Sequence, residues 1–303
     1  MSASVLYDHP GPRARLRNRV LSVVFAVLLL AGLYGIYRAF DGTEQWTWQK
    51  WEPFFGTVIA QNGQPVNFWT DYALPGLLAT VEAAALAMLF ALAFGLVFSA
   101  ARLSDHRWVR VPAGVVVEFF RAVPVLLMIF FLSYGGFWVF GTFVEPFWSV
   151  VIGLTFYNGS VLAEAFRAGI LAVPKGQSEA AYSLGLVKSQ VMRMILVPQA
   201  ARSMLPVIVS QLVVVLKDTA LGYIVAYPEL MLEGSKSYAV FGNVVPTFFV
   251  LALIYIVINA TLTLIAHLLK RRADRRGVTN PGTRAAAANT AAAGLGDGGG
   301  VAA

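Results

Sequence analysis

PKGQSEAAYSLGLVKSQVMRMILVP, residues 174–198, is the longest run in the middle of the chain that is not plainly apolar. It lies between two segments long enough to cross a bilayer. Residues 177–184 read as a short helix with small side chains at Ala180 and Ala181. Gly185 predicts its stop, because glycine takes the left-handed conformation that closes a helix. Ser189 is expected to cap a second helix running toward Pro198. Lys175, Lys188, Arg193 and Arg202 surround this helix–turn–helix. A basic, ordered loop between apolar spans needs a partner that justifies its order.

The composition supports a membrane setting on either side of this loop. The 303 residues are 58% hydrophobic with a mean hydropathy of +0.68, far more apolar than a soluble domain of this size. The net charge of +7 is concentrated in short basic clusters. Such clusters suit nucleic acid or the inner face of a membrane, and the flanking apolar runs decide for the membrane and against nucleic acid. There is no cysteine, so disulfides and thiolate metal sites are excluded. His9, His106 and His267 are scattered, which argues against a histidine metal cluster.

Six spans are expected. The first, residues 20–37, follows a basic N-tail (residues 1–19) ending in Arg13, Arg15, Arg17 and Arg19. It is too long for a signal-peptide core, and no small-x-small cleavage site follows it. Tyr34, Tyr37, Trp46, Trp48 and Trp51 form an aromatic belt after it, within a first unit over 20–71. The remaining spans lie near residues 72–101, with a break expected at Pro75-Gly76, then 112–134, 147–173, 204–226 and 245–269, in a core unit over 72–270. Residues 227–244 are expected to form an outer loop, with Pro228, Gly234 and Gly242 as breakers. A basic tail begins at 271 and is Ala/Gly-rich from Arg284 to residue 303, a composition that predicts disorder. Lys and Arg gather in the N-tail, the 102–110 turn, the central loop and the C-tail, whereas the other face carries Lys50 and Lys236. This asymmetry puts both termini and the central loop in the cytoplasm of a multi-pass cell-membrane protein.

No phosphate-cradling loop is present. Gly185-Leu186-Val187-Lys188-Ser189 lacks the glycine before the lysine that such a loop requires. HExxH, GxSxG and paired-carboxylate signatures are absent too, so no enzyme chemistry of the chain's own is expected. The informative polar groups are ionisable residues inside the spans: Glu82, Glu118, Arg121, Glu164, Arg167, Lys217 and Asp218, with Thr219 beside the last. A lone charge at the bilayer centre costs about 2.5–3.5 kcal/mol even on a lenient insertion scale. Glu118/Arg121 and Glu164/Arg167 are each spaced i, i+3 and share a helix face. They serve either as internal ion pairs that brace helices or as part of a polar path. Lys217 and Asp218 are adjacent, point in different directions, and suit a path better than a pair. An ion-gradient-driven secondary transporter of a small polar solute would use the same charges without the central loop.

The central loop resembles the EAA loop of ABC-importer permeases at Glu179, Ala180, Ala181, Gly185, Ile195 and Pro198, with Val197 where leucine is usual. Further stretches resemble the polar-amino-acid permease family. Pro75-Gly76 to Thr80 looks like its first segment, with Val81 for leucine. Glu118-Phe119-Phe120-Arg121-Ala122-Val123-Pro124 looks like E-x-F-R-G-T-P, with Ala122 and Val123 for Gly and Thr. AEAFRAGI at 163–170 and VPKGQ at 173–177 match closely, as do PQA at 198–200, Leu205-Pro206 and LKDT at 216–219. The short tail Ser4-Val5-Leu6-Tyr7-Asp8 is most like actinobacterial glutamate-importer permeases. The resemblance implies an all-α fold of the type I ABC-importer permease class. It implies a coupling role for Glu179, Ala180, Ala181, Gly185 and Lys188, and a substrate path among the span charges. The implied partners are two ABC ATPase subunits that carry ATP and magnesium, a second permease chain, an extracytoplasmic amino-acid-binding protein and membrane lipid. No cofactor or metal is implied on this chain.

Overall fold

The computed structural model describes residues 11–60 and 63–278. The Ser4–Asp8 motif and the Ala/Gly-rich stretch from Arg284 lie outside the described residues. Among the described residues the regular structure is helical but for one small hairpin. In order, the elements are α1 (Pro12–Asp41), α2 (Trp48–Trp51), β1 (Thr57–Ile59), β2 (Pro65–Asn67), α3 (Leu74–Arg102), α4 (Arg107–Ala122), α5 (Val125–Phe140), α6 (Pro146–Leu171), α7 (Lys175–Ser183), α8 (Lys188–Val191), α9 (Val197–Asp218), α10 (Leu230–Phe241) and α11 (Val244–Val278). Among the described residues, five helical stretches are long and apolar enough to cross a membrane, and a bent pair makes a sixth if its arms form one span. The chain is a multi-pass membrane protein.

α3 and α6 form the centre. Ala83, Ala87, Ala91 and Gly95 recur every four residues on α3 and are all buried. This small-residue stripe lets α6 approach closely with Val151, Leu154 and Leu162. Close van der Waals packing of this kind replaces the hydrophobic drive that lipid does not supply. α9 adds a polar tie in the same core: the Gln211 amide donates to Asn158 on α6, and Asn158 donates to the Leu154 carbonyl at 2.8 Å. By contrast, α1 buries no residue in this chain.

The structure departs from the sequence expectation at four places. Pro75-Gly76 does not break the second span. A wide π turn, Trp69–Ala73, runs directly into α3, and it stands where the bond that Pro75 cannot give to the carbonyl four residues back would fall. Gly76 instead admits α10, since a Cβ there would lie 2.8 Å from the Leu230 Cα. The third span is broken, with α4 and α5 meeting at 96°. Val123 is extended (φ −78°, ψ 127°), because the ring of Pro124 excludes its predecessor from the helical region. The outer loop contains α10, which Gly242 ends in a left-handed conformation. Gly234 does not break α10 but sits inside it, where a Cβ would lie 2.3 Å from a Leu251 methyl group. Finally, Val187 and not Ser189 starts the second helix of the central loop: the Val187 N–H donates to Gln190 Oε1 at 3.0 Å. That helix continues through a π turn, Met192–Leu196, into α9. Pro198 has no N–H to give a carbonyl four residues back, and the wider turn stands where that bond would fall.

At the end of the bundle opposite α7, Phe54 and Phe68 pack edge to face, 4.7 Å between ring centres, under the β1–β2 hairpin. Lys50 donates to the Phe241 carbonyl at 3.2 Å, tying this cap to α10. Arg38 also falls on this side, in the last turn of α1, and pairs with Asp41 at 3.3 Å.

Candidate functional site

The helix–turn–helix at 175–191 forms with its stop at Gly185, as the sequence predicts. Gly185 has φ +77°. The Leu186 N–H donates to the Ala181 carbonyl at 3.2 Å and the Gly185 N–H to the Tyr182 carbonyl at 2.9 Å. This pair of bonds is the Schellman closure of a helix, with Leu186 and Ala181 as its usual apolar contact positions. Ala181 is buried, whereas Glu179 and Ala180 face outward. Tyr182, Leu184 and Val187 are exposed, Leu184 to 82%. A large apolar tip beyond the ends of the spans is not covered by lipid tails, and marks an interaction surface.

Lys188 points back toward α3. Its Nζ lies 2.5 Å from Asp105 Oδ1 and 3.0 Å from the Leu103 carbonyl. The hydrogen bond from Lys188, together with its charge, holds the Asp105 carboxyl below its usual range. Three residues earlier, Arg102 ends α3. Its Nη1 makes an ion-pair contact of 3.3 Å with Glu164 and its Nη2 one of 3.5 Å with Glu118. Glu164 is gripped in turn by Arg167, whose Nη2 donates at 2.6 Å and Nε at 3.1 and 3.2 Å. The expected Glu164/Arg167 pair is therefore present. Glu118 pairs with Arg102 rather than with Arg121, because Arg102 lies between it and α6. Arg121 is exposed and close enough to Glu164 to act on it by charge.

The span charges do not meet in one place. Arg121, Glu164 and Arg167 gather at the end near α7. Lys217 lies along α9 beside a cleft of about 520 Å³ lined with Met231, Tyr255 and Asn259. Asp218 follows it, and Thr219 is buried, its hydroxyl donating to the Leu216 carbonyl at 2.7 Å. Glu82 faces a separate cleft of about 370 Å³ with Glu145, Phe147 and Tyr227. Burial, with the charges of Glu82 and Glu229 nearby, pushes the Tyr227 hydroxyl up to about 12, which keeps it a donor to the Ala79 carbonyl at 2.7 Å.

Three residues were not singled out from the sequence. In sequence Arg102 and Asp105 are only parts of a basic turn, and no periodicity pairs them with residues 16 to 83 positions away. Glu229 is fully buried and caps α10 by accepting from Met231 N at 2.7 Å and Leu232 N at 2.8 Å. Burial raises its carboxyl above the usual range, and these donors pull it partly back. An acidic residue placed between a proline and an apolar run was the available signal.

Comparison with known proteins agrees with this arrangement. Residues 91–275, more than half of the chain, match the family described as "Binding-protein-dependent transport system inner membrane component". The glutamate transport system permease protein GluD of Corynebacterium glutamicum is 41% identical over 77% of this chain and 82% of its own length. The probable glutamine ABC transporter permease protein GlnP of Bacillus subtilis is 34% identical over 65% of this chain and 91% of its own. Among solved structures, one described as an amino acid ABC transporter with histidines superposes with a TM-score of 0.64 at 28% identity, covering 69% of this chain and all of that one. The MetNI methionine ABC transporter gives 0.58 at 16% identity, over 68% of this chain and 97% of that one, a likeness of fold. By fold, central loop and sequence, the chain belongs to the binding-protein-dependent transport system inner membrane components.

Proposed function

We propose that the chain is the membrane-spanning subunit of an ATP-driven importer for polar amino acids, with glutamate as substrate. It has no ATPase site of its own, and α7 is the helix that docks on a partner ATPase. The carrying observation is the Schellman-closed loop, which holds Glu179, Tyr182, Leu184 and Val187 outward at one end of the bundle. The relative named for glutamate transport, together with the glutamate/aspartate import permease protein GltK of Escherichia coli at 29% identity, supports the substrate class. Membership of the family stands against an ion-gradient-driven secondary transporter. Two ATPase subunits holding ATP and magnesium, a second permease chain and an extracytoplasmic binding protein complete the working unit. ATP closes the ATPase pair and the coupling helices follow. The spans then rock, and the path opens toward the binding protein; hydrolysis returns it inward.

Gentle solubilisation followed by identification of copurifying proteins tests the class. An ATPase in the eluate is expected, and its consistent absence overturns the assignment. Orientation is tested with single cysteines. A cysteine at Ser178 should react with impermeant maleimide only after the membrane is opened, while one at Thr57, on the hairpin, should react in intact cells. The reverse labelling would place α7 outside.

Substrate contacts remain with the span charges. A carboxylate leaving water needs a cation or several donors in its place. Lys217, Arg121 and Arg167 can serve carboxylates, and Asp218, Glu82 and Glu164 an ammonium group. Lys217 borders a cleft and has no carboxylate within ion-pair distance among the described residues, so it is the leading candidate. Lys217→Met should shift the competition profile of uptake away from acidic amino acids while the ATPase stays bound. An unchanged profile removes Lys217 from the path, and loss of the complex assigns it to bracing.

A further inference from the structure

We propose that Lys188 and Asp105 form a strut through which the coupling loop moves the end of α3, and that Arg102 passes this motion to α4 and α6. The inference rests on the coupling role given above to the 175–191 loop, and names the positioning residues through which it acts. Lys188 opens α8, yet two of its three donors are taken inside the chain, by Asp105 Oδ1 at 2.5 Å and the Leu103 carbonyl at 3.0 Å. Leu103 is the C-terminal cap of α3. Its carbonyl belongs to the unpaired set at a helix end, where a cation is favoured by the helix dipole. Within residues 102–105 the end of α3 is thus held from three sides: by α8 through Lys188, by α6 through Arg102–Glu164 at 3.3 Å, and by α4 through Arg102–Glu118 at 3.5 Å.

The space behind the strut decides how it works. A cavity of about 710 Å³ lies between the end of α3 and the α8–α9 segment, lined mainly by apolar groups such as Leu96, Phe166, Met204 and Ile208, with Asp105 and Lys188 among its lining residues. The two segments are therefore joined at the edge of this space by a direct ion pair. Packed contacts resist displacement because interiors are close to crystal density, whereas a strut over a cavity transmits a push or pull without repacking. Asp105 and Lys188 are also well exposed, with side chains 76% and 43% accessible. Exposed pairs add little to stability and are screened by salt, so a purely bracing role would be a poor use of this contact. Arg102, with its side chain 13% accessible, is the firm end of the path.

The test uses the complete complex in proteoliposomes, with its ATPase and binding protein, and reads substrate taken up per ATP hydrolysed. Asp105→Asn is expected to lower that ratio about 1.4- to fivefold, the span covered by an exposed charge pair, with the KM for ATP and the Tm of the complex unchanged. Lys188→Gln should lower the ratio by the same factor. The double variant should be no worse than either single one, because both remove one link. Lys188→Arg should restore most of the ratio. Wild-type coupling in Asp105→Asn, or losses that multiply in the double variant, overturns the strut. Loss of the ATPase from Lys188→Gln but not from Asp105→Asn also overturns it, since the ammonium would then act directly on the partner. Failure of the wild-type chain to bring down any ATPase overturns the coupling role itself, and the strut with it.

Discussion

Replacing Gly185 by valine should cut binding-protein-stimulated uptake roughly 5- to 30-fold, the factor that corresponds to about 1–2 kcal/mol, in a protein that still inserts and assembles. The residue sits at φ +77°, and no neighbouring atom lies within 4 Å of where a Cβ would be. The expected damage is therefore not a clash with another element. It comes from the backbone, because an L-residue in the left-handed region costs about 1–2 kcal/mol, and a β-branched one is among the least tolerant. That cost falls on the two closing bonds, Leu186 N–H to Ala181 and Gly185 N–H to Tyr182. These bonds aim Leu184 and Tyr182 outward. If the loop relaxes to a right-handed turn, the docking face is lost while the spans remain intact. Asparagine tolerates the left-handed conformation better than valine, so Gly185→Asn should retain much of the uptake. Uptake and ATPase stimulation in proteoliposomes measure both variants. Wild-type behaviour of Gly185→Val would remove the coupling role from this loop.

The spans and the helix–turn–helix were legible because both are written in local sequence. An apolar run of about 20 residues has few alternatives to a spanning helix, and Gly185 announces the stop between α7 and α8. What escaped was of two kinds. The first was punctuation whose meaning depends on a neighbour. Val123-Pro124 lies inside a run that is apolar but for Glu118 and Arg121, so hydropathy reads one span where the proline makes two arms at 96°. Gly234 and Pro75-Gly76 look like breaks, yet the two glycines are the places where α11 and α10 approach their partners. In membrane proteins, glycines mark close helix contacts as well as helix ends. The second was pairing across the chain. The i, i+3 rule found Glu164/Arg167, which lie on one helix, but gave Glu118 the wrong partner. Arg102 comes from another helix, and nothing in the spacing points to it. The same holds for Lys188: the resemblance to the EAA loop implies that it couples, but its contacts with Asp105 and Leu103 appear only in three dimensions.

Glu229 is the other residue whose removal should have a large effect, and here the loss is of stability. Its carboxylate is fully buried and accepts from Met231 N, Leu232 N and the Tyr255 hydroxyl at 2.7, 2.8 and 2.8 Å. The next residue, Leu230, gives its N–H to Thr80 Oγ1 at 3.0 Å. One short stretch therefore joins α10 to α11 and α3, beside the point where Gly76 admits the α10 backbone. Glu229→Ala removes an N-cap, worth about 1 kcal/mol. It also leaves buried donors without an acceptor, at roughly 1–3 kcal/mol for each one that finds no other. A total of about 2–4 kcal/mol should lower the Tm of the solubilised protein by roughly 3–6 °C. Glu229→Gln keeps one acceptor oxygen and should lose less. Tyr255→Phe added to Glu229→Ala should cost little more than Glu229→Ala alone, because the hydroxyl has already lost its partner. Thermal unfolding in detergent reads all three. A Glu229→Ala protein as stable as the parent would mean that the buried carboxylate is replaceable by water and does not hold α10 in place.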